Sequence, residues 1–238
     1  MQINLKRFLC KNKLVKDHVV ELDSDFYHHA IRVLKIKTNE SIILFNENGK
    51  EFYCKIQKIL KKSVLVEIQY ELDSLSDKRS SIKVFQSIPK GNLIDDLIEK
   101  SVELGVTSFN PVISKRTIKK TKEKKERWDE IIKNATEQCG RTDLMQISEP
   151  IQFSEIFNQD HNGEKIIFYE NSYVTISETN FTKSDKVSII IGPEGGFTDE
   201  EIKLAKENKF KIFSLGKNIL KCSTANILGI GIVSLFSS

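Results

Sequence analysis

Two short stretches hold most of the residues that could do chemistry. At 189–198 the run Ile189-Ile190-Ile191 empties into Gly192-Pro193-Glu194-Gly195-Gly196, and Thr198 follows at the head of an acidic segment. At 215–221 a second apolar run ends in Leu215-Gly216-Lys217-Asn218-Ile219-Leu220-Lys221. Ligands of α/β sheets bind at the carboxyl ends of strands, where glycine lets the backbone approach closely. Two such loops together make a cleft with many free backbone donors and acceptors, which suits a neutral adenine and ribose better than a triphosphate. A phosphate-binding loop needs glycine directly ahead of Lys-Ser or Lys-Thr, and Lys100-Ser101 follows Glu99 instead. Taken singly, the first loop also fits a plain strand-to-helix turn. Gly229 and Gly231 lie inside an apolar C-terminal run and lack the third glycine of a dinucleotide fingerprint. They predict the close approach of another helix.

The elements that must position these loops can be read from periodicity. The first 72 residues are β-rich: strands are expected at 41–45, 51–56 and 63–70, with a turn at Asn46-Glu47-Asn48-Gly49. In the third strand Val64, Val66, Ile68 and Tyr70 share one face. A short helix is expected at 24–33, capped by Ser24 or Asp25. Short strands with tight turns predict a small barrel over 1–72. Residues 73–81 are polar and unpatterned, and they form the expected linker.

From 82 to 238 the rhythm is strand, helix, strand. Strands are expected at 82–88, 106–113, 165–169, 186–191 and 210–215, and helices at 93–104, 123–139, 198–208 and 224–236. Leu93, Leu97, Ile98 and Val102 are the inward face of the first of these helices, with Gly105 at its end. Thr198 with Glu201 forms a capping box. Alternating β and α elements predict a mostly parallel α/β sheet.

Composition sets outer limits. The 238 residues suffice for one large domain or two unequal ones, and 39% hydrophobic with 29% charged content is that of a folded chain. A net charge of +4 permits a polyanionic partner without requiring one. Cys10, Cys54, Cys139 and Cys222 stand singly, with no histidine at ligand spacing, so reduced thiols and no metal are expected. No apolar run suits a signal peptide or a membrane span, so a cytoplasmic protein without membrane contact is expected.

The pair IIGPEGGFTDEEI at 190–202 and LGKNILKCSTA at 215–225 resembles the cofactor site of the small-subunit (16S) rRNA uridine-N3 methyltransferases, in the SPOUT superfamily. Further matches run in the same order along most of the chain: Arg7-Phe8, HAIRVLK at 29–35, Lys90-Gly91, EKSVELGV at 99–106 and Glu137-Gln138-Cys139-Gly140-Arg141. The resemblance implies a barrel-like, PUA-like RNA-binding domain and a C-terminal α/β domain with a trefoil knot. It implies a homodimer joined through the C-terminal domain. It also implies S-adenosylmethionine wrapped by Ile191, Gly192, Pro193, Glu194, Gly195 and Gly196 with Leu215, Gly216, Ile219, Leu220, Ser223 and Ala225. The implied partner is ribosomal RNA or the small subunit assembled on it.

Methyl transfer to uracil N3 requires an unpaired uridine, loss of the N3 proton and in-line alignment with the methyl donor. Arg141 is the first candidate for catalysis, steadying charge on a uracil oxygen or gripping a phosphate; as a cation beside Gly140 it would instead satisfy helix carbonyls. Lys221 is the second. Glu137 is either a base or a loop-structuring group, and the second reading is preferred. Glu194 either balances the sulfonium or bonds amides within its own turn. Arg7, Arg32, Lys35, Lys90 and Lys100 are candidate phosphate contacts, or solvated surface cations. Arg116 belongs to a basic run at 115–122 expected to meet RNA as a loop, the alternative being a merely solvated loop.

The chain departs from the family at one place. Lys221-Cys222-Ser223-Thr224 stands where the family typically shows Arg-Thr-Glu-Thr. Lys221 keeps a charge without the planar fork of arginine, and Ser223 lacks a carboxylate, though Ser223 or Thr224 can still cap the final helix. Asn218 stands where a basic residue is common. The alternatives are therefore a non-catalytic rRNA-binding or ribosome-assembly protein on the same fold, or a related RNA methyltransferase with another target.

Overall fold

The computed structural model describes residues 5–46, 49–72, 80–118, 123–177 and 179–237. Residues 73–79 of the expected linker, Glu47 and Asn48 of the expected turn, and residues 119–122 of the basic run lie outside them.

The first unit is built on strands β1 (Arg7–Leu9), β2 (Val19–Leu22), β3 (Ser41–Phe45), β4 (Glu51–Ile59) and β5 (Val64–Glu71). They form one sheet in the order β1-β3-β4-β5-β2, with β1 parallel to β3 and every other pair antiparallel. Alternation puts Phe52, Cys54 and Ile56 of β4 and Val64, Val66 and Ile68 of β5 into one core. The edge strands contribute Phe8 and Leu22 to that same core, so the sheet curls around it as a half-open barrel. The alternation fails at Tyr70, expected inward and found exposed, because register shifts interrupt the β4–β5 ladder.

Between β2 and β3 lies helix α1 (Ser24–Phe26), which widens into a π-helical turn at Tyr27–Val33. Its cap is Asp23, not Ser24 or Asp25: the Asp23 carboxylate accepts from the amides of Asp25 and Phe26 at 3.1 and 3.0 Å. The expected helix span was right and the cap lies one residue earlier.

The second unit has strands β6 (Ser81–Ser87), β7 (Ser108–Ile113), β8 (Gln146–Ile147), β9 (Ile151–Gln152), β10 (Glu164–Phe168), β11 (Lys186–Ile191) and β12 (Lys211–Phe213). All pairs are parallel, in the order β12-β10-β11-β6-β7-β8, with β9 also on β7. Central β11 is buried from Val187 to Ile191, as expected of a strand covered on both faces. The helices are α2 (Leu93–Glu103), α3 (Glu126–Cys139), α4 (Asp199–Glu207) and α5 (Cys222–Ser237), with a 3-10 turn at Phe153–Asn158.

In α2 the buried face is Ile94, Leu97, Ile98 and Val102, so Ile94 takes the place expected of half-buried Leu93. Gly105, at φ +84°, turns the chain out of the helix. Trp128 of α3 donates from Nε1 to Asp95 of α2 at 3.0 Å, which ties the two helices. The last turn of α3 and the loop after it, Thr136–Leu144, group with the first unit, whereas 82–238 was expected to be one uninterrupted domain.

Helix α5 begins at Cys222, two residues earlier than expected, so Ser223 and Thr224 lie in its first turn and not at its cap. It packs on β11, β6 and α2. Gly229 admits a ring and not a helix: a methyl group there would meet Cε2 of Phe168 at 2.6 Å.

Candidate active site

The parallel order places the C-terminal ends of β10, β11 and β12 side by side, and the loops leaving them enclose a pocket of about 530 Å³ open to solvent. From the β11 loop come Ile191, Gly192, Pro193 and Gly196; from the β12 loop come Leu215, Gly216, Asn218 and Leu220. Helix α5 contributes Cys222 and Ala225, and the exit of β10 contributes Phe168, Tyr169 and Glu170. Eight of the twelve residues expected at the cofactor line this pocket. Glu194, Gly195, Ile219 and Ser223 do not, and Ile219 is 85% exposed.

Backbone conformation shapes the walls. Gly196 sits at φ +67°, its amide donating to Pro193 O at 2.9 Å, and a side chain there would collide with the Glu170 carboxylate. Thr198 and Glu201 make the expected capping box, so α4 starts at a fixed point behind the loop. Among the described residues, none of the amides of residues 215–221 donates a hydrogen bond to a backbone carbonyl. The amides of Leu215, Gly216, Asn218 and Leu220, which line the pocket, are therefore open to a ligand or to water.

Beneath the glycine loop lies a buried amide and thiol network. Gln86 Oε1 accepts from Asn226 Nδ2 at 2.9 Å, and Gln86 Nε2 donates towards Gly192 O and Cys222 Sγ, each at 3.4 Å. Cys222 donates to the same Gly192 carbonyl at 3.3 Å. Burial, with the nearby Glu194 carboxylate, pushes the Cys222 thiol up to about 12, so it stays a neutral donor and not a thiolate nucleophile.

Glu194 does not bond amides within its own turn. Its carboxylate accepts from the amide of Lys90 at 3.0 Å, so it bonds an amide, but in the loop after β6 and not in its own turn. Arg116 donates from Nη1 to Gly195 O at 2.7 Å, which joins the start of the basic run to the glycine loop. Lys90 and Lys221 have exposed side chains, and Lys100 is paired with Glu103 at 3.2 Å.

The remaining candidates belong to the first unit. Arg7 is paired with Glu51, and burial lowers its pKa. Arg32 and Lys35 are exposed, Arg32 lying 5.6 Å from the centre of the Tyr27 ring and Lys35 at φ +57°. Arg141 is 3% exposed and pairs with Asp143 at 2.6 Å. Glu137 accepts from the amide of Leu9 at 2.9 Å and faces His29 at 3.8 Å. The motifs around Arg7, His29 and residues 137–141 thus meet in one unit, and the glycine loops meet in the other.

Sequence reasoning missed Phe168, Tyr169, Glu170 and Cys222. The strand ending at 168 was legible, but Tyr169-Glu170 carries no glycine, and only the strand order reveals that it opens beside the two glycine loops. Among the described residues no His, Cys, Asp or Glu group is placed to hold a metal, and no helix is long and apolar enough to cross a membrane.

Comparison with known proteins agrees with this architecture. An RNA methyltransferase domain family matches residues 76–234, and an RNA methyltransferase PUA domain family matches residues 22–69. The chain is 32% identical to the ribosomal RNA small subunit methyltransferase E of Rickettsia conorii over 98% of its length and 96% of the relative. It is 25% identical to the protein of that name in Bacillus subtilis, over 95% of this chain and 93% of the other. The ribosomal RNA small subunit methyltransferase E of Neisseria gonorrhoeae, solved bound to S-adenosyl methionine, superposes with a TM-score of 0.87 at 32% identity, covering 95% of each chain. With a PUA domain followed by an α/β methyltransferase domain along nearly its whole length, the chain belongs to the RNA methyltransferase family.

Proposed function

We propose that this protein transfers the methyl group of S-adenosylmethionine to N3 of a uridine in 16S ribosomal RNA, in the cytoplasm. The observation that carries the reading is the pocket at the ends of β10, β11 and β12, with its donor-rich loop at 215–221. Its donor set fits a nucleoside: apolar walls from Phe168, Leu215, Leu220 and Ala225 suit an adenine ring, and the free amides suit its ring nitrogens. Gly216, at φ +138°, has no neighbouring atom within 4 Å of the position a side chain would take, so its Cα faces open space. Ile191, Gly192, Pro193 and Gly196 would hold the other face of the cofactor, and Glu194 and Gly195 would hold the loop that presents it.

S-adenosylmethionine supplies an electrophilic methyl group on a sulfonium. The protein has to bind the unpaired uridine, hold N3 in line with that methyl carbon and favour loss of the N3 proton. Lys221, exposed immediately after pocket residue Leu220, would steady negative charge on a uracil oxygen. Arg141, the first candidate from the sequence, would act by exchanging its Asp143 partner for RNA. Arg32, Lys35, Lys90 and Lys100 would contact phosphates, with Arg7 and Arg116 entering only if their present partners are exchanged.

Two copies would associate through α5, where Ile227, Leu228 and Leu235 are 41%, 38% and 76% exposed around Gly231. Sedimentation at micromolar concentration should give twice the chain mass; a monomer would remove the dimer from the account.

Mass spectrometry of 16S rRNA nucleosides from a strain lacking the protein tests the reading. N3-methyluridine should disappear and return with the wild-type gene. N3-methyluridine persisting at the wild-type level would refute the target. Arg141→Ala should abolish transfer and leave cofactor affinity within a few-fold; full activity would remove Arg141 from catalysis. A chain that binds RNA but never S-adenosylmethionine would instead be an assembly protein.

A further inference from the structure

The acidic side chains of the glycine loop and of the start of α4 have local partners. Glu194 accepts from the Lys90 amide at 3.0 Å. Glu201 accepts from the amides of Lys115 and Thr198 at 2.8 and 2.9 Å. Asp199 accepts from the Tyr169 hydroxyl at 3.4 Å. Hydrogen bonds from its own amide and from Thr198 hold the Glu200 carboxyl below its ordinary value. Glu170 is different: among the described residues it is the one charged side chain lining the pocket, and it makes no hydrogen bond or ion pair. Its carboxylate lies directly over Gly196, in the space that any larger residue at 196 would occupy.

We propose that Glu170 is the ribose-recognising residue of the cofactor site, its two carboxylate oxygens accepting the hydrogens of the vicinal 2′ and 3′ hydroxyls. An ionised carboxylate is an acceptor only, with two oxygens side by side, and a vicinal diol offers two donors at matching spacing. The other acceptors of the pocket are backbone carbonyls and the Asn218 side chain, each a single oxygen, whereas the carboxylate sets two acceptors side by side. Glu170 is exposed, so water screens its attraction for the sulfonium, whereas directional hydrogen bonds persist at a wet rim. The absence of a side chain at Gly196 leaves the carboxylate room to face the pocket. The assignment rests on this pocket being the S-adenosylmethionine site.

Calorimetric titration of the purified full chain separates the possibilities. Glu170→Ala should weaken S-adenosylmethionine and S-adenosylhomocysteine alike, by about tenfold or more, since both carry the diol and a charged acceptor is lost. Glu170→Gln, which keeps one acceptor, should fall between. Wild-type protein should prefer adenosine to 2′,3′-dideoxyadenosine, and Glu170→Ala should bind the two equally. A loss confined to S-adenosylmethionine would place Glu170 on the sulfonium and overturn the ribose assignment, as would affinities for both within twofold of wild type. Ala225→Phe and Leu220→Trp fill the pocket itself and should abolish binding. If both fold and still bind normally, the pocket reading fails, and the Glu170 assignment fails with it.

Discussion

The two units use their polar motif residues in different ways. In the first, Arg7 pairs with Glu51, Glu137 takes the Leu9 amide, and Arg141 pairs with Asp143, so groups from three distant stretches of sequence pair within one unit. In the second, among the described residues, the amides of residues 215–221 have no backbone partner and the Glu170 carboxylate has no hydrogen bond or ion pair, beside an open pocket. Polar groups brought together by a fold are either consumed by it or held ready for a ligand. Residue type does not separate these outcomes, because Arg141 looks as catalytic in sequence as anything near the glycine loops. The partners separate them.

The strongest way to break this contrast is at Gly196. Gly196→Val puts a β-branched residue at φ +67° and displaces the Glu170 carboxylate, and should weaken S-adenosylmethionine binding by about tenfold or more. Normal affinity in a folded Gly196→Val protein would mean that the loop does not face the cofactor.

The buried thiols sharpen it further. Burial pushes Cys54 in the first core and Cys222 beside the pocket up to about 12, from an ordinary value of 9.0. The unfolded chain then releases those protons from about pH 9 upward, while the folded chain keeps them. Stability should be full below pH 9 and fall by a few kcal/mol, roughly, between pH 9 and 12. Denaturant midpoints across that range check this, and Cys54→Ala and Cys222→Ala should each flatten part of the slope. An unchanged slope in both would mean that neither thiol is held neutral by the fold.

Glu137→Ala should remove an acceptor from the Leu9 amide and cost about 1–3 kcal/mol, with cofactor affinity unchanged. A tenfold loss of affinity with unchanged stability would move the first-unit cluster from scaffold to function. Thr198→Ala removes the cap of α4 and should cost about 1 kcal/mol, with the helix otherwise intact. No change on thermal unfolding would show that the Glu201 half of the capping box suffices.

Much of this was legible from the chain alone, for physical reasons. Ile189-Ile190-Ile191 could only be a strand covered on both faces, and Thr198 with Glu201 could only cap a helix, so the first glycine loop was bracketed correctly. The second was harder. Its strand is three residues long, and the following helix begins at Cys222, so Ser223 was mistaken for a possible cap. Glu170 and Phe168 were invisible because their relevance depends on β10 lying between β11 and β12, a fact of topology and not of local pattern. The pairing of Glu194 with the Lys90 amide, 104 residues away, lies beyond periodicity for the same reason.

Hydrogen–deuterium exchange with and without S-adenosylmethionine tests the contrast most directly. Saturating cofactor should protect the amides of residues 215–221 and of the glycine loop at 192–196, while residues 136–144 exchange as before. Protection centred on 136–144, with 215–221 still open, would contradict the account and move the cofactor to the polar cluster of the first unit.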